Sequence, residues 1–287
     1  MIAPIETSGP ETGVPKRSSE LQKRVISALV LAGLALGSAW YGGVVFAVVW
    51  GVAAIAVLRE WNAVLGLSGR PLWVSLSIGT LGIVAAISLV LIDHFSPVIG
   101  FFPAISAGIL IAVLIRRPDV SPLWNVLGPI YAASVVVGPL ALRARGPEGL
   151  LIIVWLFLVV WISDIGAFFV GRRIGGPKLW PAVSPKKTWS GFFGGLISGT
   201  LVPIAVVYAA KIVLAVQWID GWLLLYLTVS TALVSELGDL FESALKRRFG
   251  VKDTGTIIPG HGGIMDRLDS YTAAAFYVVI ITGVIAV

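Results

Sequence analysis

The sequence predicts an all-α, polytopic integral membrane protein with about nine membrane-crossing helices and a cytoplasmic N-terminus. Three observations carry this expectation. Of 287 residues, 57% are hydrophobic and only 13% charged, with a mean hydropathy of +0.95; a soluble domain of this size does not hide so much apolar surface. The apolar residues fall into runs long enough, at about 1.5 Å per helical residue, to cross roughly 30 Å of hydrocarbon. The basic residues also sort to one side. With the N-terminus cytoplasmic, the tail and the even-numbered loops hold 18 of the 21 Lys and Arg residues, as the positive-inside asymmetry requires. The same asymmetry accounts for the net charge of +6 without invoking nucleic acid. The chain has no Cys, which excludes disulfides and thiolate metal sites.

Residues 1–24 are polar and rich in Pro, Ser and Glu. They read as a disordered cytoplasmic tail rather than a cleavable signal peptide. Residues 25–145 then form N-terminal transmembrane helices, and 146–287 a C-terminal transmembrane region that carries the chemistry. Val25–Trp40 and Val44–Val57 are split by Tyr41-Gly42-Gly43, which suits a tight helical hairpin. Arg59, Glu60 and Trp61 close the second helix, and Leu72–Ile92 is a clean third span. His94, beside Asp93, reads as an interfacial loop residue. Pro97–Ile115 ends at Arg116-Arg117-Pro118-Asp119. Pro122–Leu142 contains Gly128-Pro129 and Gly138-Pro139, so a kink or partial unwinding is expected. Gly149–Val170, Phe192–Val216, Gly221–Val234 and Tyr271–Val287 complete the nine.

Polar residues gather near the ends of these last spans, where burial is costly unless they are solvated, paired or bound to ions. Glu236, Asp239 and Glu242 recur every three residues on one helical face, and Asp266 and Asp269 repeat the interval after a glycine-rich turn. Carboxylates on two segments joined by such a turn can converge on a hard cation, Mg²⁺ or Mn²⁺ rather than Zn²⁺. Spacing alone fits helix capping and juxtamembrane salt bridges equally well, and Glu242 with Lys246, four residues on, could be an ordinary surface pair. In Pro259-Gly260-His261-Gly262-Gly263 the glycines let several amides face one anion, or simply make a turn. Lys186 and Lys187, with the hydroxyls of Ser184, Thr188 and Ser190, form a compact set of phosphate donors; positive-inside anchoring is the alternative. Asp164 lies within the sixth span and needs a partner, either Arg172, Arg173 or a bound cation.

The stretch from Ser243 to Asp269 resembles the C-terminal signature of phosphatidate cytidylyltransferases, the CDP-diacylglycerol synthases. Ser243, Lys246, Arg247, Lys252, Asp253, Gly255, Pro259, His261, Gly262, Gly263, Asp266, Arg267 and Asp269 stand at matching positions. Gly238-Asp239-Leu240-Phe241-Glu242-Ser243 and the segment from Asp164 to Gly191 are also similar to the family, so the resemblance covers about residues 150–275. Ile165, Phe168 and Ser190 depart from the residues common there.

The resemblance implies an enzyme that joins CTP and phosphatidic acid into CDP-diacylglycerol and pyrophosphate, with Mg²⁺ and with Mn²⁺ as the alternative ion. It implies Asp239 and Asp266 as principal metal ligands and Glu242 and Asp269 as supporting ones. Lys186, Lys187, Lys246, Arg247 and Arg267 would hold phosphates, and His261, Gly262 and Gly263 would cradle pyrophosphate. Ser184, Thr188, Lys252 and Asp164 complete the expected substrate-binding set. The expected location is a bacterial-type inner membrane with the site facing the cytoplasm; the expected partners are membrane lipids, no nucleic acid, and a second copy in a homodimer. A transporter and a CTP-using lipid-alcohol kinase are the rival readings. Charges at the membrane edge rather than mid-membrane weigh against the transporter. A CDP-alcohol phosphotransferase is disfavoured because its Asp-Gly-x-x-Ala-Arg motif is absent.

Overall fold

The computed structural model of the chain describes residues 17–93, 97–214, 219, 221–258 and 262–284. Most of the expected tail, His94 and the Pro259-Gly260-His261 stretch lie outside these residues. Helix α1 (Arg17–Tyr41) begins ahead of the Val25 boundary expected from hydropathy. It turns at Gly42, with φ at 66°, into α2 (Gly43–Val64). The C-terminal carbonyls of α1 are not left unpaired. Arg143 donates from Nε to Ala39 O at 2.5 Å and from Nη2 to Trp40 O at 3.1 Å, placing a cation at the negative end of the helix dipole.

The third run forms α3 (Gly69–Asp93), and the fourth a short α4 (Pro97–Gly100) followed by α5 (Phe102–Leu114). The fifth is broken, as the glycine-proline pairs suggest, into α6 (Pro122–Ser134) and α7 (Val137–Arg143). The break has one cause of the two expected. Pro139 lacks an N–H and its ring crowds the carbonyl four residues back, at Val135, where the helix stops. Pro129 stays inside α6.

Helix α8 (Gly146–Ile174) leads into a feature that the all-α expectation lacks. Strands β1 (Lys178–Trp180) and β2 (Ser184–Thr188) form an antiparallel hairpin, with Lys178 opposite Thr188 and Trp180 opposite Ser184. Helices α9 (Trp189–Leu214), α10 (Gly221–Arg248) and α11 (Met265–Val284) follow. Where the sequence suggests a span ending at Val234, α10 continues unbroken to Arg248. It therefore carries the whole carboxylate series on one rigid rod.

Among the described residues, six helical stretches are long and apolar enough to cross a membrane: α2, α3, α6 with α7, and the bulk of α8, α9 and α10. Val25–Tyr41 and Val98–Leu114 are shorter apolar helices, and α11 is apolar from Tyr271 onward. Large apolar side chains stand exposed around the outside, among them Ile197, Leu201, Val213 and Trp222. A water-soluble surface does not carry such a belt; hydrocarbon accepts it.

One continuous core of buried side chains runs from Ala35 to Val279. At its centre Trp50 of α2, Phe157 of α8 and Tyr271 of α11 stack, with ring centroids 4.7–5.7 Å apart. Helices α8 and α9 approach through a stripe of small residues. Gly191, Gly195 and Gly199 on α9 face Ala167, Ser163 and Val159 on α8, and a Cβ added at Gly199 would stand 2.9 Å from the Ser163 Cβ. Small residues four apart let two apolar helices meet at backbone distance. Replacing Gly199 with Val is therefore expected to cost about 1–3 kcal/mol by overpacking, read as a lower thermal unfolding midpoint in detergent.

Candidate active site

The carboxylates predicted to converge do so through two helices. On α10 the i, i+3, i+6 spacing sets Glu236, Asp239 and Glu242 on one face, and the first turn of α11 brings Asp266 and Asp269 alongside. Asp239, Glu242 and Asp269 each offer an oxygen, and the three oxygens lie within 4.8 Å of one another. Glu242 is fully buried, and its Oε1 has no hydrogen-bond partner. A buried carboxyl oxygen without a partner, on a side chain grouped with two other carboxylates, fits a hard cation, and the all-oxygen donor set fits Mg²⁺ or Mn²⁺.

Asp266 occupies a different position from these three. Its Oδ1 accepts from Lys246 Nζ at 2.8 Å, while its Oδ2 accepts from Gly263 N at 2.8 Å and Thr254 N at 3.1 Å. The sequence expectation names it a principal ligand; in the structure its oxygens are committed to the glycine-rich loop and a lysine. Asp239 and Asp266 nonetheless line one cavity.

Two lysines knit the cluster. Lys246 Nζ lies 2.6 Å from Glu242 Oε2 within α10 and 2.8 Å from Asp266 Oδ1 on α11, so the lysine ties the two helices together and the Glu242 pair is buried, not the surface pair that its spacing allows. Lys187, carried on β2, reaches Glu236 Oε2 and Asp239 Oδ2, both at 2.9 Å. Burial alone would pull the Lys187 ammonium down, but the carboxylates of Asp239 and Glu236 outweigh it and hold it above the ordinary lysine range. It is a cation at any physiological pH. Glu236 is 2% exposed and also accepts from Ser163 Oγ at 3.2 Å. The sequence reading notes Glu236 in the carboxylate series without giving it a site role. The close approach at Gly195, where a Cβ would meet Glu236 Oε1, has no local sequence signature.

These groups floor a cavity of about 740 Å³ between α8, the hairpin, α9, α10 and α11. Acids and bases are partly segregated within it. The carboxylates belong to α10, α11, the loop between them through Asp253 and, through Asp164, α8; Arg172, Lys178 and Lys186 come from the end of α8 and the hairpin. Arg267 and Thr188 also line the cavity, Thr188 Oγ1 accepting from Gly191 N at 3.1 Å. Among the described residues, five expected ones stand apart from the lining: Ser184, Arg247, Lys252, Gly262 and Gly263. Ser184 is held in β2 opposite Trp180. Arg247 is exposed, with Nε donating to Val183 O at 3.4 Å. Lys252 is exposed beside Asp253, which does line the cavity. Gly262 adopts φ 85°, a conformation that glycine favours, and its carbonyl accepts from Ile258 N. His261 lies outside the described residues. One buried acid that sequence reasoning assigned to a helix end, Glu60 of α2, also reaches this region from beneath, accepting from Met265 N at 2.7 Å.

A family model described as the Cytidylyltransferase family matches residues 22–285 of this chain. Over 260 residues, 90% of this chain and 91% of the relative, the chain is 38% identical to a phosphatidate cytidylyltransferase of Brucella suis, and equally so to one of Brucella abortus. A phosphatidate cytidylyltransferase of Staphylococcus haemolyticus is 48% identical over 139 residues, 48% of this chain and 52% of that one. With a match across nearly its whole length and a cavity of converging carboxylates and cations at the ends of apolar helices, this chain belongs to the cytidylyltransferase family and is a nucleotidyltransferase.

Proposed function

We propose that the chain is a phosphatidate cytidylyltransferase that transfers CMP from CTP to phosphatidic acid, releasing pyrophosphate and leaving CDP-diacylglycerol in the membrane. The observation that carries this reading is the convergence of Asp239, Glu242 and Asp269 beside Lys187 and Lys246 in one cavity. A phosphatidate oxygen is already anionic near neutral pH, so its attack on the α-phosphorus of CTP needs no strong general base. As that P–O bond forms, the bond from the α-phosphorus to the bridging oxygen breaks, and its electron pair leaves with pyrophosphate. The difficulty is to hold two polyanions in line, and fixed charge answers it.

Asp239, Glu242 and Asp269 would hold Mg²⁺, with Asp266 beside them fixing the loop. Bound there, magnesium supplies charge neutralisation and a template for the phosphate oxygens. Lys178, Lys186 and Arg172 form a cationic rim suited to the triphosphate, and Arg267 and Thr188 add donors within the cavity. Lys187 and Lys246 keep the floor carboxylates apart and oriented. The phosphatidate headgroup reaches these groups from the bilayer, its acyl chains staying among the apolar helices. The same reading gives nine spans, an N-terminus in the cytoplasm, a bacterial inner membrane, and a site open to the cytoplasmic face, where CTP resides.

Purified protein in detergent with phosphatidate and labelled CTP is expected to form lipid-soluble CDP-diacylglycerol with Mg²⁺. A chelator should stop it, and excess Mg²⁺ or Mn²⁺ restore it. Undiminished turnover in chelator would remove the cation from the site; a phosphorylated alcohol as product would make the chain a lipid kinase instead.

A further inference from the structure

Glu60 is far in sequence from every group discussed above, yet it is built into the same site. It lies in the last turn of α2 and is 2% exposed. Its Oε2 accepts from Met265 N at 2.7 Å and from Thr254 Oγ1 at 3.2 Å, and its Oε1 accepts from Ile264 N at 3.0 Å. Ile264 precedes and Met265 opens α11, so Glu60 satisfies amides that no intrahelical carbonyl can reach. It also sets a negative charge at the positive end of that helix. Two glycines admit it: a Cβ at Gly255 would lie 2.7 Å from Glu60 Oε1, and one at Gly263 would lie 2.6 Å from Oε2.

The side chain cannot drift, because the next two residues of α2 are themselves pinned. Trp61 is buried, donates to Trp124 O at 3.0 Å and packs against Tyr131. Asn62 is buried and accepts from Ser75 Oγ at 3.1 Å. Glu60 is therefore a fixed acceptor, and it holds Thr254, Ile264 and Met265 from one side while Asp266 holds Thr254 N and Gly263 N from the other. It does not line the cavity, so it has no direct route to a substrate. What it governs is where α11 starts, and Asp269 lies four residues beyond Met265, one helical turn on.

We infer that Glu60 is a positioning residue of the transferase site: a carboxylate from the N-terminal helices that ties Thr254 to the start of α11 and thereby sets the place of Asp266 and Asp269. The inference rests on the cation-binding reading of Asp239, Glu242 and Asp269, and deepens it. A displacement near 1 Å at a reacting centre costs up to about a hundredfold in rate. Glu60→Gln keeps the shape but turns one acceptor into a donor facing an amide or hydroxyl.

Four variants test it: Glu60→Gln, Glu60→Asp, Thr254→Val and the Glu60→Gln/Thr254→Val pair, with Asp239→Asn as control. Glu60→Gln is expected to lower kcat about 30-fold or more and raise the Mg²⁺ concentration for half-maximal rate, while the KM for phosphatidate stays within about twofold. Glu60→Asp, one methylene too short, should not rescue it. Thr254→Val should shift both parameters in the same direction, and the double variant should be no worse than Glu60→Gln alone. Independently of turnover, amide exchange at Thr254 and across residues 263–268 of the metal-free protein should quicken about tenfold in Glu60→Gln, with α10 unchanged. Folded Glu60→Gln with normal kcat, Mg²⁺ requirement and exchange overturns the inference. Should Glu60→Gln not fold, Thr254→Val alone decides, and normal values there overturn it equally. Full activity in Asp239→Asn would instead sink the cation-site reading, and the exchange result would still report on Glu60.

Discussion

Asp239→Asn is expected to lower kcat at saturating CTP by about a thousandfold, with the protein still folded and inserted. The change is isosteric and removes one negative charge from the group whose oxygens lie within 4.8 Å of each other. Glu242 and Asp269 alone would then face any cation, and taking away a charge-stabilising group at a reacting centre costs about 10²–10³ in rate, near 4 kcal/mol at the upper end. Stability should change little. Lys187 keeps its 2.9 Å bridge to Glu236, and Asp239 is only half-buried, so no orphaned charge is created. Product formation from labelled CTP measures the loss, and a melting curve in detergent checks the fold. Near-normal turnover would take Asp239 out of the cation-binding set.

Lys187→Ala should act on stability as well as on rate. Read from sequence, this lysine is a phosphate donor or a membrane anchor, and its loss would weaken substrate use only mildly. The geometry makes it a bridge. Without it Glu236, 2% exposed, retains Ser163 as its side-chain partner, and removing one member of a buried ion pair costs about 3–5 kcal/mol. That corresponds to a fall in unfolding midpoint of about 10 °C for a protein of this length. Adding Glu236→Gln should recover most of that stability, because the uncompensated charge is gone, without recovering the rate, because Asp239 still lacks its lysine. A single variant that melts like wild type would show that Glu236 finds another counter-charge.

How far the sequence led can be judged residue by residue. The apolar runs were legible because the hydrophobic requirement of a bilayer is local and continuous, and most boundaries fall within a few residues of those observed. The series Glu236, Asp239, Glu242 was legible because a helix repeats every 3.6 residues. Its continuation through Val234 was not, since hydropathy drops there while helicity does not. The hairpin escaped because Ser184-Pro185-Lys186-Lys187-Thr188 carries little strand preference and no alternation of apolar side chains. The Glu242–Lys246 pair looked solvated because its spacing is that of any surface bridge; only the packing of α11 against α10 buries it. Glu60 was hidden most thoroughly. Its partners lie about 200 positions away, and an acid between Arg59 and Trp61 at the end of an apolar run is indistinguishable from a membrane-edge residue.

The bond from Glu60 to the start of α11 bears on how this enzyme can be taken apart. If the first helices served only to float the chemistry in the bilayer, any hydrophobic anchor of similar length could be grafted in their place. Such a chimera would leave the Ile264 and Met265 amides and the Thr254 hydroxyl facing a gap closed to solvent, with no oxygen to receive them. The two halves therefore make a single functional unit, divisible neither by truncation nor by exchange unless the acid at the foot of α2 travels with the transplanted part.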